Sequence, residues 1–322
     1  MSIVFPNGYV LDTVGPFLGS DNDAKITDKI LTSLQSLSGI LEEDDQVIVD
    51  RGFRDILSKL SDEGYETHMP TFLKPGQSQH DGIEANTDRC ITKTRWVVES
   101  YHSRFKQFRF FKTELTSNYF IKNLESLLKS VTACLNWLRG PIYQPSSTKA
   151  AEDEKVALEM KSLLNKSNIL AERVEKEPDL SRRAKSQWQK LEAAQLEFPR
   201  LDQEYLETLA CGTYQVKLAP GYISEHLTAD GDYEVMAYQH SSDLIRCQIR
   251  SRHQSQTKYN IWIQYSVTEQ PPIQNYYCTC PTGQRTVGMC AHIASVLFYL
   301  GVYVHSQSRK PLRPTKFMPL MK

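Results

Sequence analysis

The chain near its C-terminus reads Cys278-Thr-Cys280, a nine-residue loop with proline and glycine, and then Cys290-Ala-His292. Thiolate and imidazole are ligands that Zn²⁺ prefers, and four of them close a tetrahedral structural site. Paired ligands at the two ends of a turn-rich loop can converge on one ion. The sequence therefore predicts a structural zinc site made of Cys278, Cys280, Cys290 and His292, with no position left open for a substrate.

The alternative is a group of buried free cysteines or a disulfide. A Cys-x-Cys pair is awkward to bridge internally, and the chain has seven cysteines, an odd number, without a secretory signal. The thiols are therefore expected in a reducing compartment. Zinc remains the better explanation of the spacing.

The residues on both sides of the loop indicate a small zinc-bearing domain. Alternating strands are predicted at 233–238, 244–249 and 259–265, with Cys278 and Cys280 on one face of a following strand. A helix is predicted after His292, with Ile293, Val296, Leu297 and Leu300 buried. Cys-x-Cys followed by Cys-x-His before a helix resembles the SWIM zinc finger.

Composition sets broad limits on the rest of the chain. It has 322 residues, 40% hydrophobic and 24% charged, which is enough for two globular domains. The formal net charge is zero, so composition alone implies neither a nucleic-acid nor a membrane partner. The longest apolar run is shorter than the ~20 residues of a membrane span.

The first 140 residues alternate strand and helix signals, which predicts an α/β fold. The run Gln46-Val-Ile-Val49 is typical of a strand buried on both faces. Other strands are predicted at 9–14 and 66–69, and helices at 26–37, 53–60, 88–111 and 118–138.

Composition changes after Pro141. Residues 141–200 are predicted to be a charged linker with two exposed helices and no chemistry of their own. The zinc-bearing domain is predicted over 201–307, followed by a basic tail at 308–322.

Two carboxylates of the first region are candidate metal ligands. Asp50 follows a predicted strand, where ligands bind in open α/β sheets, although it could equally cap the next helix. Glu99 lies on a predicted helix with Arg95, His102 and Lys106 on the same face. A solvated salt-bridge face explains that second pattern as well.

Several short motifs, in order, resemble the DDE endonuclease domain of Harbinger-type transposases. They are Pro6-Asn-Gly-Tyr-Val, the segment 15–23, Val49-Asp50-Arg-Gly-Phe53 and Arg95-Trp-Val-Val-Glu99. The resemblance covers about residues 3–140 and implies an RNase H-like sheet, a nuclear protein and two Mg²⁺ or Mn²⁺ ions held by two aspartates and a glutamate. Asp50 matches the second aspartate of that family and Glu99 its glutamate.

The first aspartate of the family pattern has no match in this chain. It would lie on a central strand upstream of Ser2, so the domain is expected to be truncated, and Asp12 and Asp23 fall elsewhere in the pattern. The expectation is a zinc-binding, transposase-derived protein without nuclease activity. The alternatives are an active enzyme from a truncated gene model and a module that binds DNA or protein.

Phosphate contact by such a module would depend on basic residues near the zinc loop. These residues are Arg246, Arg250, Arg252, His253, Lys258, Arg285, Arg309, Lys310, Arg313 and Lys316.

Overall fold

The structure, a computed structural model, describes residues 1–33, 41–112, 121–181, 183–191, 195–226, 235–251 and 257–306. These residues form two compact units, one of Met1–Phe72 with Asp88–Glu152 and one of Leu73–Thr87 with Asp153–Lys322. No helix among the described residues is long and apolar enough to cross a membrane.

The first unit contains two separate pairs of strands. β1 (Ser2–Val4) and β2 (Val10–Thr13) are antiparallel, and β3 (Gln46–Ile48) and β4 (Glu66–His68) are parallel, with Val47 opposite Thr67. The described residues contain no strand that joins one pair to the other. Backbone groups along one side of β3 therefore have no partner strand within this part of the chain.

Helices surround both pairs of strands. Leu60 and Tyr65 pack with Ala24 in one small core, and Tyr101 packs with Val10 and Leu135 in another. A buried hydroxyl group joins the second core, because the Tyr101 hydroxyl lies 2.8 Å from that of Thr132. The helices are α1 (Asp23–Ser33), α2 (Leu57–Asp62), α3 (Gly82–Phe105), α4 (Arg109–Lys112) and α5 (Ile121–Arg139), and a 3-10 segment (Arg51–Ile56) precedes α2.

The prediction of a mixed α/β architecture is confirmed, but two details were wrong. Gln46 is exposed and Ile48 only half-buried, because β3 has a single partner strand, so this strand is not buried on both faces. Helix α3 begins before Asp88 and ends at Phe105, which leaves Phe108 outside it and exposed. The segments 34–40 and 113–120, where parts of two predicted helices fall, lie outside the described residues.

The second unit is built on a five-stranded antiparallel sheet in sequential order. Cys247 of the third strand lies opposite Ile261 of the fourth, which in turn lies opposite Cys278 of the last strand. The strands are β5 (Trp188–Leu191), β6 (Val235–Tyr238), β7 (Leu244–Arg250), β8 (Lys258–Tyr265) and β9 (Ile273–Cys278).

Both faces of this sheet are covered. The larger core contains Ile263, Ile223 and Leu297, all fully buried, and joins one sheet face to three helices. On the other face Trp262 packs with Leu170 and Leu180. The helices of the unit are α6 (Ser147–Leu163), which starts before the unit boundary, α7 (Ile169–Lys176), α8 (Gln203–Leu209), α9 (Tyr214–His226) and α10 (Ala291–Phe298).

The charged stretch 141–200 contributes directly to this sheet. Two exposed helices were predicted here, whereas the structure places strand β5 near its end and buries Leu170, Leu180 and Trp188. Its apolar residues are interspersed with many charged ones, so no alternating pattern marks β5.

Candidate functional site

The predicted zinc ligands come together in the second unit. One ligand atom from each of Cys278, Cys280, Cys290 and His292 lies within 4.8 Å of all the others, and the three cysteines are buried. Cys278 Sγ and His292 Nδ1 are 3.9 Å apart. Three sulfur atoms and one imidazole nitrogen form a donor set that suits a tetrahedral zinc ion. These residues therefore fit zinc in number, type and position.

Three elements position these side chains. Strand β9 ends at Cys278, a tight turn carries Cys280, and Cys290 is the N-cap of α10. The turn closes through the Gly283 N–H, which donates to the Cys280 carbonyl oxygen at 2.9 Å. A side chain at Gly283 would overlap the Cys278 carbonyl, so only glycine fits there. The expected strand alternation of the two cysteines was wrong, because the strand stops at the first of them.

Contacts beyond the ligands fix their orientation. The backbone N–H of Cys280 donates to Cys278 Sγ at 3.4 Å, as in sites where amides stabilise thiolates. The His292 ring contacts two tyrosine rings, with its centroid 5.2 Å from that of Tyr222 and 4.9 Å from that of Tyr259. Packing against both rings restricts the orientation of the imidazole.

Burial makes the ionised thiols of this cluster energetically unfavourable unless a cation is bound. It raises the pKa of the Cys278 thiol well above its ordinary value, because a buried thiolate is poorly solvated. Burial also opposes ionisation of Cys290, but hydrogen bonds from Cys278, Cys280 and His292 outweigh it and bring the pKa of Cys290 well below the usual value. A thiolate is therefore favoured at Cys290, and the two positive charges of a zinc ion would offset most of the charge of three thiolates.

The two carboxylates of the first unit also come together. Asp50 Oδ2 accepts a hydrogen bond from Arg95 Nη2 at 2.9 Å, and Glu99 Oε1 lies 3.6 Å from the same nitrogen. Asp50 Oδ1 accepts from the Arg51 N–H and caps the 3-10 segment. The capping and salt-bridge roles are therefore both present, and metal binding by these carboxylates stays a prediction.

The other groups of this surface contribute less than the sequence suggested. Burial lowers the pKa of His102, and Lys106 lowers it further, so the imidazole adds little positive charge beside Glu99 at neutral pH. Arg95 alone pairs with Glu99 in an ion pair among the described residues. The bases expected on one helix face are thus reduced to a single guanidinium.

Neither Asp12 nor Asp23 completes a metal cluster. The Asp12 carboxylate accepts from the Thr13 N–H, and Asp23 lies against Gly52, where a Cβ would be 2.6 Å from Asp23 Oδ2. The residue before it makes the capping contact at the start of α1, because Asn22 Oδ1 accepts from the Lys25 N–H. Within the described residues, no third acidic, histidine or cysteine ligand joins Asp50 and Glu99 in a compact group.

The proposed phosphate contacts around the zinc loop need correction. Arg246 is 8% exposed, lies over the Trp188 ring at 4.6 Å and donates to the Ser181 carbonyl oxygen at 3.0 Å. Arg285 is equally buried and donates to the Met289 carbonyl. Neither side chain can contact a phosphate in this conformation. Arg250 and Lys258 are exposed, while Arg252, His253, Arg309, Lys310, Arg313 and Lys316 lie outside the described residues.

Sequence reasoning missed two amide side chains beside the zinc loop. Gln79 and Asn86 hydrogen-bond to residues of the loop from about 200 positions upstream. No local pattern around them gives a signal, because glutamine and asparagine are common on exposed loops and helix starts.

The match to known families agrees with this arrangement. Residues 1–136 match the family model of the DDE superfamily endonuclease, and residues 273–301 match that of the SWIM zinc finger. The chain therefore carries a DDE endonuclease-related region followed by a SWIM zinc finger, and the predicted order is confirmed. Neither a curated protein nor a solved structure matches the chain.

Proposed function

We propose that this is a transposase-derived protein with a structural zinc ion in its second unit and no DNA-cleaving activity in its first. The observation that carries the proposal is the contrast between a complete ligand set and an incomplete one. Four zinc-type ligands converge around Cys278, whereas Asp50 and Glu99 converge on an arginine.

The zinc ion would have a structural role. Three buried cysteines and His292 supply four protein ligands, so a tetrahedral ion has no position left for water or substrate. An ion held this way contributes folding free energy to the small unit around it. Zinc is thus assigned to stability and to the shape of the finger.

The Arg95 guanidinium pairs with both candidate carboxylates of the first unit, which disfavours metal-dependent cleavage. Phosphodiester transfer by this kind of site needs two divalent ions clamped on the attacking and leaving oxygens. Here the Arg95 guanidinium already pairs with Asp50 and Glu99. Among the described residues, no third metal ligand lies beside them. Two exposed carboxylates paired with arginine would hold a pair of Mg²⁺ or Mn²⁺ ions weakly.

A plasmid-nicking assay on the full chain tests this part of the proposal. We expect no Mg²⁺- or Mn²⁺-dependent nicking above the background of an Asp50→Ala preparation purified in the same way. Metal-dependent nicking that disappears in Asp50→Ala would overturn the proposal. It would also indicate that the Asp50–Arg95 pair opens when metal and DNA are present.

Nucleic-acid binding without cleavage is a second candidate function, and one contact in the first unit favours it. The guanidinium carbons of Arg51 and Arg54 lie 5.3 and 5.6 Å from the ring centroid of Phe72, which is 43% exposed. In single-stranded nucleic-acid binding, an arginine contacts a phosphate while a neighbouring exposed aromatic ring stacks on a base. A nuclear location and DNA or protein partners belong to this candidate.

Fluorescence anisotropy with a labelled oligonucleotide tests the second candidate. Arg54→Ala should weaken binding and reduce its salt dependence, since a phosphate contact releases counterions. Arg200→Ala, in the second unit, is the matched control because Arg200 is an exposed arginine outside this cluster and outside the candidate phosphate contacts near the zinc loop. Equal affinities for the two variants and wild type would remove this cluster from the candidate function.

A further inference from the structure

The segment 73–87 holds the loop that carries the zinc ligands. Its contacts start at Gln79, whose side-chain Nε2 donates to the carbonyl oxygens of Cys278 and Cys280, both at 2.6 Å. The Oε1 of the same amide accepts from the Tyr277 hydroxyl at 3.0 Å and from Gln284 Nε2 at 3.2 Å. One side chain therefore contacts both residues of the first ligand pair and both ends of the turn.

Asn86 makes a second set of contacts further along the loop. Its side chain is fully buried, and Oδ1 accepts from the N–H groups of Thr286 and Val287 at 2.8 and 2.9 Å. Its Nδ2 donates to the Leu164 carbonyl oxygen at 3.0 Å. Every polar atom of this buried amide is satisfied, so the contact specifies one position of the loop.

A backbone contact joins these two positions. The His80 N–H donates to the Pro281 carbonyl oxygen at 2.9 Å, between the contacts of Gln79 and Asn86. The loop is thus bound at its start, at its turn and near its end by residues that lie about 200 positions earlier in the chain.

We propose that Gln79 and Asn86 form an amide clamp that positions the Cys278–Cys280 pair for the metal ion, so that segment 73–87 is part of the zinc finger. The inference rests on the proposed zinc function. Gln79 is a positioning residue, because it contacts the carbonyl groups of two ligand residues and not the ion. The orientation of these peptide groups sets the direction of each Cβ–Sγ bond, and outer contacts of this kind change metal affinity about 10–100-fold.

Two consequences follow for the molecule. The residues that match the SWIM finger, 273–301, do not contain all the contacts that shape their ligand loop, since the clamp lies within the DDE-matched region. Binding is also reciprocal, so an ion that favours the clamped loop stabilises segment 73–87 in return. Removing zinc should therefore loosen this segment.

Gln79→Glu in the full chain is the sharpest variant. It keeps the shape of the side chain but replaces Nε2, which donates to both cysteine carbonyls, with an oxygen that can only accept. The matched control is Gln77→Glu, because Gln77 Oε1 accepts from the Lys74 N–H of its own turn and a carboxylate keeps that bond. The measurements are zinc content, zinc transfer to an excess of a chromogenic chelator, and the visible spectrum of Co²⁺-substituted protein.

We expect one zinc per wild-type chain and about 10–100-fold weaker zinc binding in Gln79→Glu, with Gln77→Glu unchanged. The Co²⁺ absorption bands should shift in Gln79→Glu alone, because they report ligand geometry and not global stability. A second measurement needs no variant: hydrogen exchange in peptides covering 73–87 should speed up when the chelator removes zinc from the wild type.

The two proposals can fail separately. A wild-type chain that carries no zinc after expression with the metal overturns the proposed function itself. A wild-type chain with one zinc overturns only the clamp if Gln79→Glu keeps wild-type affinity and Co²⁺ bands, or if exchange in 73–87 does not respond to chelation. Should Gln79→Glu fail to fold, Gln79→Met, which removes the same hydrogen bonds without adding a charge, replaces it in the same measurements.

Discussion

The zinc cluster and the carboxylate pair both place like charges close together, but the first is buried and the second is exposed to solvent. Cys278, Cys280 and Cys290 are at most 5% exposed, whereas the side chains of Asp50 and Glu99 are 54% and 64% exposed. Water solvates the two exposed carboxylates, so a single arginine is enough to hold them close together. The buried thiols have no such solvent, so they need an ion of higher charge.

The difference shows how burial decides what a cluster can do. Interactions between exposed ions are weak and easily rearranged, while those of a dry cluster are strong and fixed. We therefore expect the second unit to depend on its cluster for stability and the first unit to depend little on its carboxylates. The predictions below test this contrast, starting with the largest expected effect.

Cys290→Ala should release the zinc and unfold the second unit. Structural zinc contributes about 10–16 kcal/mol of apparent binding free energy in zinc-finger peptides at pH 7, more than most domains have to spare. Metal analysis and near-ultraviolet circular dichroism of the full chain measure both effects. Cys134→Ala, which removes an exposed cysteine of α5, is the control. Full zinc retention in Cys290→Ala would refute the assignment of this ligand.

Leu297→Ala should destabilise the second unit by about 2–5 kcal/mol, because it leaves a cavity at a fully buried position of the core. Ile293, Val296 and Leu300 are also buried, as the sequence predicted for this helix face. Urea unfolding in the presence of zinc measures the effect. Leu158→Ala is the control, since Leu158 is 62% exposed on α6 and its loss should change little. Equal costs for the two variants would contradict the packing described.

The Asp50–Arg95 pair should have the smallest effect. A double-mutant cycle with Asp50→Ala and Arg95→Ala should give a coupling energy of about 0.2–1 kcal/mol, as for other exposed ion pairs. The same unfolding experiments measure it, at low and at high salt. Salt should reduce the coupling because it screens exposed charges. A salt-independent coupling of several kcal/mol would show that the carboxylates resemble the buried cluster after all.

Much of the second unit could be predicted from local patterns. Alternating residues gave β7 and β8 to within a residue of their observed ends, and ligand spacing gave all four members of the zinc cluster. These signals are strong because each depends on a short period or on ligands close together in sequence. The strand predicted at 233–238 is observed as β6 from Val235, and residues 233–234 lie outside the described residues.

Other features left no readable pattern. Strand β5 lies in a charged stretch, and Trp188 is the one buried residue of its four. It forms because it pairs with β6. Arg246 and Arg285 read as exposed cations, yet packing against Trp188 and the Met289 carbonyl buries them. Side-chain burial depends on the neighbours that the fold supplies, and the sequence does not order those neighbours in space.

The sequence by itself determined the mixed α/β class, the order of a DDE-related region and a SWIM finger, and the identity of the zinc ligands. Tertiary structure alone decided that Asp50 joins the Arg95–Glu99 pair, and that Gln79 and Asn86 hold the ligand loop. The physical reason is the separation in sequence between the interacting residues. Periodicity and ligand spacing act over a few residues, whereas these contacts join residues up to about 200 positions apart and form only when the chain has folded.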